Sequence, residues 1–139
     1  MAESLADTRI QRFLATKEVA VLSTLQPSGA PLAMPMWFLH TPEALYMISV
    51  AGLQKVRNLQ RDPRVCVVAE AGNRGAEIRG VIVQGRAEFI DDAEQRRPVV
   101  EQLLRKYDPD LTRLWGGASM PANRVLFRIV PTQVRSWGL

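Results

Sequence analysis

The stretch Ser49-Val-Ala-Gly-Leu-Gln-Lys-Val-Arg-Asn-Leu-Gln-Arg-Asp-Pro-Arg-Val65 combines three structural signals in a short length of chain. An apolar run that ends at Gly52 predicts a strand, and a short helix with Lys55 and Arg57 in its first turns follows. An Asp-Pro pair then ends this helix, because proline cannot continue one. A helix start attracts anions through its unpaired N–H groups and the positive end of its dipole, and nearby cations strengthen that attraction. The stretch therefore predicts an anion-binding site, with a solvated basic helix as the alternative.

Composition predicts one domain over residues 1–139 with a real hydrophobic core. The chain has 139 residues, of which 47% are hydrophobic, and this length is too short for two domains of usual size. The only cysteine, Cys66, lies in an apolar run, so we expect a small buried side chain that cannot form an internal disulfide. The N-terminus lacks the pattern of a signal peptide, and no apolar run approaches the roughly 20 residues of a membrane helix. We therefore expect a cytoplasmic protein that does not contact a membrane.

The net charge of +4 makes nucleic acid one partner to consider. The cations are dispersed along the chain, however, and the sequence contains no helix-turn-helix, zinc-finger spacing or aromatic RNA-binding signature. Surplus Lys and Arg residues would serve an acidic small molecule equally well. A basic nucleic-acid-binding module is therefore the least favoured function.

The pattern along the chain predicts mainly short strands with few helices. Apolar spacing predicts an opening helix up to Leu14 and a later helix from Asp91-Asp92 to Tyr107, whose regular part should begin near Arg97 because of Pro98. Residues 108–122 contain a Gly-Gly pair and two prolines and should be irregular. The predicted strands cover residues 19–25, 32–39, 44–50, 64–69, 77–90, 124–130 and 133–137, connected as a meander. Such strands predict a small antiparallel barrel, since closure removes exposed edges.

The motifs of the common enzyme classes are missing from the sequence. His40 is the only histidine, and it shows no zinc-ligand spacing with Cys66, so no metal site is expected. We interpret His40 as a residue at the edge of a turn. A Gly-x-Ser-x-Gly elbow, a Walker phosphate loop and a Gly-x-Gly-x-x-Gly fingerprint are all absent. Any redox chemistry must therefore come from a bound cofactor.

Several segments, in this order along the chain, resemble the pyridoxamine-phosphate-oxidase-like split barrels, especially the branch that includes deazaflavin-dependent reductases. The resemblance runs from about Phe13 to the C-terminus. It is carried by Val21–Leu25, Pro27–Pro31, Pro35–Phe38, Gly52–Val65, Gly80–Ala87 and Val134–Trp137. It implies a mainly β fold, an antiparallel split β-barrel with a few peripheral helices. It also implies a homodimer whose two cofactor sites lie along the subunit interface.

The resemblance implies a phosphate-binding role for the residues around the predicted helix start. Lys55 and Arg57 would meet the phosphate or phosphodiester of a flavin-type cofactor, and Lys55 is the stronger candidate. Ser49, Gln54 and Asn58 would be hydrogen-bonding neighbours of the same group.

The resemblance also implies a wall for the cofactor ring. Pro35, Met36 and Trp37 match the strand beside the isoalloxazine-like ring, although Met and Trp next to a strand are also ordinary core residues. Trp115 and Trp137 would wall the substrate pocket or simply pack against their neighbours. No residue is assigned as proton donor, so the sequence leaves the catalytic residues unknown.

Two cofactors, coenzyme F420 and FMN, are compatible with the resemblance. The Lys-Val-Arg-Asn-Leu segment resembles the deazaflavin branch more than the Ser-Arg-Lys pattern of pyridoxamine-phosphate oxidases. Leu53-Gln54 stands where that pattern has Ser-Arg, and the loss of a guanidinium removes a bidentate phosphate partner. Coenzyme F420 is therefore preferred, and the implied function is a reductase that transfers hydride to an unsaturated small molecule. The alternatives are an FMN-dependent oxidoreductase and a flavin-binding carrier without rapid turnover.

Overall fold

The computed structural model describes residues 3–139 and folds them into a seven-stranded antiparallel sheet flanked by short helices. The α-helices are α1 (Thr8–Ala15), α2 (Gln54–Arg61), α3 (Ala93–Lys106) and α4 (Asp110–Trp115). The strands are β1 (Val19–Leu25), β2 (Pro31–Trp37), β3 (Leu39–His40), β4 (Leu45–Val50), β5 (Arg64–Ala71), β6 (Arg79–Phe89) and β7 (Arg124–Trp137). A single 3₁₀ turn, Gly75–Glu77, precedes β6. None of the helices in residues 3–139 has the length and apolarity that crossing a membrane requires.

The strands do not connect as the predicted meander. Their order across the sheet is β2-β1-β5-β6-β7-β4-β3, so β4 pairs with β7, which lies far from it in sequence. The chain leaves β4 at Gly52, whose φ of 83° is favourable for glycine, and passes through α2 to reach β5 beside β1. The curled sheet is the mainly β antiparallel architecture that the sequence predicts.

Alternating burial explains why these segments form strands. In β1 the side chains of Ala20, Leu22 and Thr24 are buried, while those between them are at least partly exposed. Ala20 and Leu22 pack with Phe13 and Leu14 of α1 in the larger of two core clusters. The second cluster joins the other end of the sheet to α3 and α4 and contains Leu39, Ile90, Val99, Leu103, Tyr107, Leu111 and Leu126.

Helix α3 begins four residues before the predicted start of its regular part. Asp92 is the N-cap and its carboxylate accepts a hydrogen bond from the Glu94 N–H, so the helix starts at Ala93. Pro98 lies inside the helix. Because Pro98 and Glu94 are both exposed, water can replace the one hydrogen bond that the proline removes.

The irregular segment that we predicted contains a helix. α4 fits between Pro109 at its N-cap and Gly116, which ends it in the left-handed conformation with φ of 75°. The Gly-Gly pair and the prolines that indicated a loop therefore bound a short helix.

The last strand is continuous where two strands were predicted. β7 runs through Pro131, and its register against β6 shifts between Gln84 and Gly85. This irregularity accommodates a proline, which has no N–H to give to the sheet. A Cβ at Gly85 would lie 2.2 Å from the Val130 carbonyl oxygen, so the close approach requires glycine.

Cys66 is half-buried rather than buried, because it lies on the outward face of β5. Burial still raises the pKa of its thiol.

Candidate functional site

A cavity of about 370 Å³ is lined by residues from both the sheet and the helices. Its strand wall comes from β2 and β4 and consists of Pro35, Met36, Trp37, Ile48, Ser49 and Val50. Its helix wall comes from α3 and α4 and consists of Leu103, Tyr107, Leu111, Leu114 and Trp115. Leu53, Lys55 and Arg124 complete the lining. The size is in the range of small-molecule sites, and most of the lining is apolar.

Two cations meet at the end of β4. Arg124, the first residue of β7, lies opposite Val50, the last residue of β4, and Lys55 follows in the first turn of α2. Lys55 is half-buried, and the four side-chain ion pairs found in residues 3–139 do not include it. Burial lowers its pKa, because an ammonium group loses hydration there. An anion at this position would restore favourable contacts to a partly desolvated charge.

The start of α2 adds to this positive potential. Leu53 occupies the N-cap position in an extended conformation, and no side chain caps the helix. The N–H groups of the first turn are thus available to an anion, and the helix dipole points its positive end at the same place. Ser49 lies nearby, with its side chain almost fully buried and in the cavity lining.

Three of the predicted site residues contact each other rather than the cavity. Arg57 donates a hydrogen bond to the Gly52 carbonyl oxygen at 2.8 Å and a second one to the Gln54 side chain. Gln54 donates to Asn58 at 2.8 Å, and the buried Asn58 donates to the Thr24 hydroxyl at 3.0 Å. This network ties α2 to β1. Gln54, Arg57 and Asn58 are absent from the lining, whereas Pro35, Met36, Trp37, Ser49 and Lys55 belong to it.

The helix wall is docked onto the strand wall through Tyr107. Its ring stacks on Trp37 with centroids 4.5 Å apart and planes 7° from parallel. The Tyr107 hydroxyl accepts a hydrogen bond from the Phe38 N–H and donates one to the Glu18 carbonyl oxygen, both at 2.8 Å. Burial raises the pKa of Tyr107 to about 12. The hydroxyl is therefore protonated and already bonded, so it is not a free proton donor for a ligand.

Lys106 also connects the helix wall to Phe38. Its ammonium group donates to the Phe38 carbonyl oxygen at 2.7 Å and lies 3.9 Å from the centroid of the Phe38 ring. This position combines a charge-assisted hydrogen bond with a cation–π contact. Burial lowers the pKa of Lys106 to about 8.

Arg124 and most of the helix wall were missed by the sequence analysis. An arginine at the start of a strand resembles any solvated arginine, and its position opposite Val50 depends on pairing between strands that are distant in sequence. Leu111 and Leu114 lie in the segment predicted to be irregular, and they form part of α4. Trp115 was considered as a wall residue, and the structure places it in the lining.

His40 lies on β3 outside the cavity lining, with its Nδ1 atom 2.8 Å from the Gln11 side-chain oxygen. Burial and the nearby Lys106 lower its pKa. Within residues 3–139, no three His, Cys, Asp or Glu side chains are grouped to hold a metal ion.

The chain belongs to the pyridoxamine 5'-phosphate oxidase family, whose model matches residues 6–138. This match and the solved structures below confirm the predicted split-barrel fold. A search among curated proteins gives no match.

Three solved structures illustrate the similarity. A conserved hypothetical protein of Mycobacterium tuberculosis is 28% identical with a TM-score of 0.80, over 94% of this chain and 83% of that one. A FAD-binding protein of Mesorhizobium loti is 25% identical with a TM-score of 0.72, over 98% and 96% of the two chains. A heme storage protein of Vibrio cholerae, 18% identical with a TM-score of 0.78 over 94% and 93%, shares the fold.

Proposed function

We propose that this protein is an oxidoreductase that binds a flavin-type cofactor, preferably coenzyme F420, and transfers hydride to an unsaturated small molecule. One observation carries the proposal. The cavity joins the strand segment Pro35–Trp37, which resembles the ring-binding strand of the family, to two cations and an uncapped helix start. An apolar slot with a positive end fits a planar ring that carries a phosphate.

The residues present fit such a cofactor. Lys55, Arg124 and the first N–H groups of α2 would hold its phosphate or phosphodiester, since these groups lack a carboxylate partner in the described ion pairs. The side chains of Met36, Trp37 and Ile48 would exclude water from the faces of the ring. When bound, a reduced deazaflavin or flavin supplies hydride to a conjugated acceptor, and a proton from solvent completes the reduction.

The surroundings of Arg57 support coenzyme F420 over FMN. Gln54 stands where the FMN-binding pattern has an arginine, and its amide is used by Arg57 and Asn58. Arg57 is exposed beside Gly52, just outside the cavity, where it could meet an acidic tail that extends into solvent. FMN has no such tail, so an FMN-dependent enzyme of the same fold is the alternative.

We also propose that the active form is a homodimer with the cofactor site at the subunit interface. On the outward face of the sheet, Val19 and Val21 are 40% and 39% exposed. The strand register places Val21 between Pro35 and Val68, and Val68 beside Ile82, which forms an apolar band. Pro35 belongs to this band and also to the cavity lining, so a second copy covering the band would reach the cavity.

Calorimetric titration with both cofactors tests the assignment. Coenzyme F420 should bind at least tenfold more tightly than FMN, a difference of about 1.4 kcal/mol. Equal or tighter FMN binding would reverse the cofactor preference, and no binding of either would contradict the function. Consumption of the reduced cofactor with a panel of conjugated acceptors separates the enzyme from a carrier, which would bind the cofactor without turnover.

Sedimentation at micromolar concentration tests the dimer. Val21→Glu should shift the protein to monomer and weaken cofactor binding, while Val130→Glu, at another exposed valine, should do neither. A wild-type monomer that binds the cofactor tightly would contradict the shared site.

A further inference from the structure

Part of the helix wall is attached only loosely to the rest of the protein. This part, which we call the flap, covers residues 108–120 and contains α4. Within residues 3–139, no hydrogen bond links the flap to the sheet, and none of the four side-chain ion pairs involves it. The Leu111 N–H donates to the Tyr107 carbonyl oxygen, just after the end of α3. The flap therefore lacks the polar contacts that would fix its position over the cavity.

Apolar packing at one buried residue holds the flap in place. Leu111 is the only buried side chain of residues 108–120, and it packs in the second core cluster. Trp115 packs against the same cluster and is only partly buried. Because apolar contacts are not directional, α4 can tilt about Leu111 without breaking a hydrogen bond. A segment with so few buried contacts also has a low local stability.

A glycine pair connects α4 to the loop that follows it. Gly116 and Gly117 have φ of 75° and 157°, which residues with a side chain rarely adopt. A Cβ added at either glycine would have no atom within 4 Å, so close packing does not require them. The pair therefore supplies backbone freedom at one end of α4. At the other end, the hydrogen bonds of Tyr107 to Phe38 and Glu18 fix the point from which the flap begins.

Two exposed leucines indicate where the flap would move. Leu114 of the flap is 66% exposed and Leu53 is 45% exposed, although both line the cavity. Leu114 has the highest exposed fraction among the large hydrophobic side chains of residues 3–139. Contact between the two leucines would remove apolar surface of both from water. Because Leu53 is the N-cap of α2, this contact would also cover the uncapped helix start.

We propose that the flap closes over the cavity and places Leu114 against Leu53 when a ligand that carries an anion binds. Closure excludes water from the start of α2 and from Lys55, where the attraction of the ammonium group for a phosphate then becomes stronger. The rest of the helix wall stays in place, because Tyr107 is anchored to the sheet. This inference rests on the proposed function, since the cofactor is the ligand that drives closure.

A disulfide between the two leucine positions tests closure, because two cysteines are bridged only when their Cα atoms approach within about 7 Å. Leu53→Cys and Leu114→Cys are combined with Cys66→Ser, which removes the natural thiol. Free thiols and a non-reducing gel follow the oxidation, with and without coenzyme F420. The bridge should form within one chain and about tenfold faster with bound cofactor. Once formed on the bound protein, it should slow cofactor release about tenfold until a reductant is added.

Leu53→Cys with Arg113→Cys, also in the Cys66→Ser protein, is the matched control. Arg113 is exposed and outside the cavity lining, and it points about 100° away from Leu114 around α4. Bound cofactor should not accelerate the bridge in this pair. Hydrogen exchange of the natural protein gives an independent measure of closure. Without cofactor the amides of α4 should exchange about 100-fold faster than those of α3, and cofactor should slow the exchange of α4.

The outcomes separate the flap from the proposed function. Absence of the bridge, equal bridging in the control pair, or exchange in α4 as slow as in α3 would each overturn the flap. Bound cofactor that leaves the bridging rate unchanged would overturn it as well. Cross-linked dimers on the gel would do the same, because they would show that a second copy covers Leu114. A bridge within one chain that only the Leu53 and Leu114 pair forms, with no cofactor binding, would support the flap and overturn the proposed function.

Discussion

The strand wall and the helix wall enclose the same cavity but are held in place differently. β2 and β4, the strands of 7 and 6 residues that form the strand wall, pair along their full lengths with β1 and β7. The helix wall is joined to the sheet by side chains, through the second core cluster and through the hydrogen bonds of Tyr107 and Lys106 to Phe38. Backbone hydrogen bonds hold the strand wall in place, whereas side-chain contacts hold the helix wall. Single substitutions should therefore loosen the helix wall more readily than the strand wall.

The largest expected effect comes from removing Tyr107. Tyr107→Ala should lower the free energy of unfolding by about 3 to 5 kcal/mol, because it removes a buried ring and leaves the buried Phe38 N–H without its acceptor. Tyr107→Phe keeps the ring and should cost about 1 to 3 kcal/mol. Urea denaturation measures both.

Tyr46→Phe is the matched control, since the Tyr46 hydroxyl has no hydrogen bond within residues 3–139 and lies on a strand. If Tyr107→Phe were as stable as Tyr46→Phe, the hydroxyl would not be the anchor of the helix wall.

The next largest effect concerns the cationic end of the strand wall. Lys55→Ala should weaken cofactor affinity by about 1.5 to 3 kcal/mol, because its ammonium would make a charge-assisted bond to a partly desolvated phosphate. Arg57→Ala should cost less, at most about 1 kcal/mol, because an exposed ion pair is screened by solvent. Cofactor titrations at low and moderate salt give both values, with a thermal melt to verify folding. An unchanged affinity in folded Lys55→Ala would restore the interpretation of α2 as a solvated basic helix.

A substitution of Asn58 tests whether this residue of α2 stabilises the fold or binds the cofactor. Asn58→Ala should lower the free energy of unfolding by about 1 to 3 kcal/mol, since it removes the buried link between Gln54 and Thr24. Cofactor affinity should change little, because Asn58 does not line the cavity. Gln60→Ala, at an exposed position of α2, serves as the control for helix propensity. A large loss of cofactor affinity with an unchanged free energy of unfolding would indicate that Asn58 contacts the cofactor, as the family resemblance implies.

The sequence predicted the strand wall because its signals are local. Alternating burial in β1 and β4, glycine turns and the Lys55 helix start all lie within short windows, and the family resemblance falls on these windows. The same windows predicted Pro35, Met36, Trp37, Ser49 and Lys55 as site residues, and the structure brings these five into one cavity lining.

The helix wall depends on contacts between distant parts of the chain, and such contacts leave no periodic pattern. Tyr107 contacts Phe38, and Arg124 pairs with Val50, across long separations in sequence. α4 is too short to show helical periodicity, and its flanking Gly and Pro residues indicate a loop. The sequence predicts two strands in place of β7 because a proline such as Pro131 ordinarily interrupts a strand. In the structure, the irregular register beside Pro131 removes the need for its missing N–H.

The smallest expected effect is a pH dependence of the free energy of unfolding, caused by Lys106 where the helix wall contacts Phe38. Burial lowers the pKa of Lys106 from an ordinary value of 10.5 to about 8, and Glu18, His40 and Tyr107 are the other titratable side chains that interact with it. Between these two pH values the unfolded chain binds more protons at Lys106 than the folded chain does. The free energy of unfolding should therefore gain a contribution that grows as the pH rises from about 8 towards 10.5. Because Lys106 remains partly exposed, solvent screening keeps this contribution small.

Thermal melts of wild type and Lys106→Met between about pH 7.5 and 10 give this contribution as the difference between their slopes, since the lowered pKa of Lys55 and the raised pKa of Cys66 affect both proteins alike. This range avoids the one in which the raised pKa of Tyr107 acts in the opposite direction. Lys106→Met should flatten the rise, because methionine binds no proton. Lys17→Met, which removes the same charge from a lysine that contacts neither ring, should keep the wild-type slope. Parallel pH dependences for Lys106→Met and wild type would contradict a lowered pKa of Lys106 in the folded protein. The docking of the helix wall would then be assigned to Tyr107 and the second core cluster rather than to a desolvated Lys106.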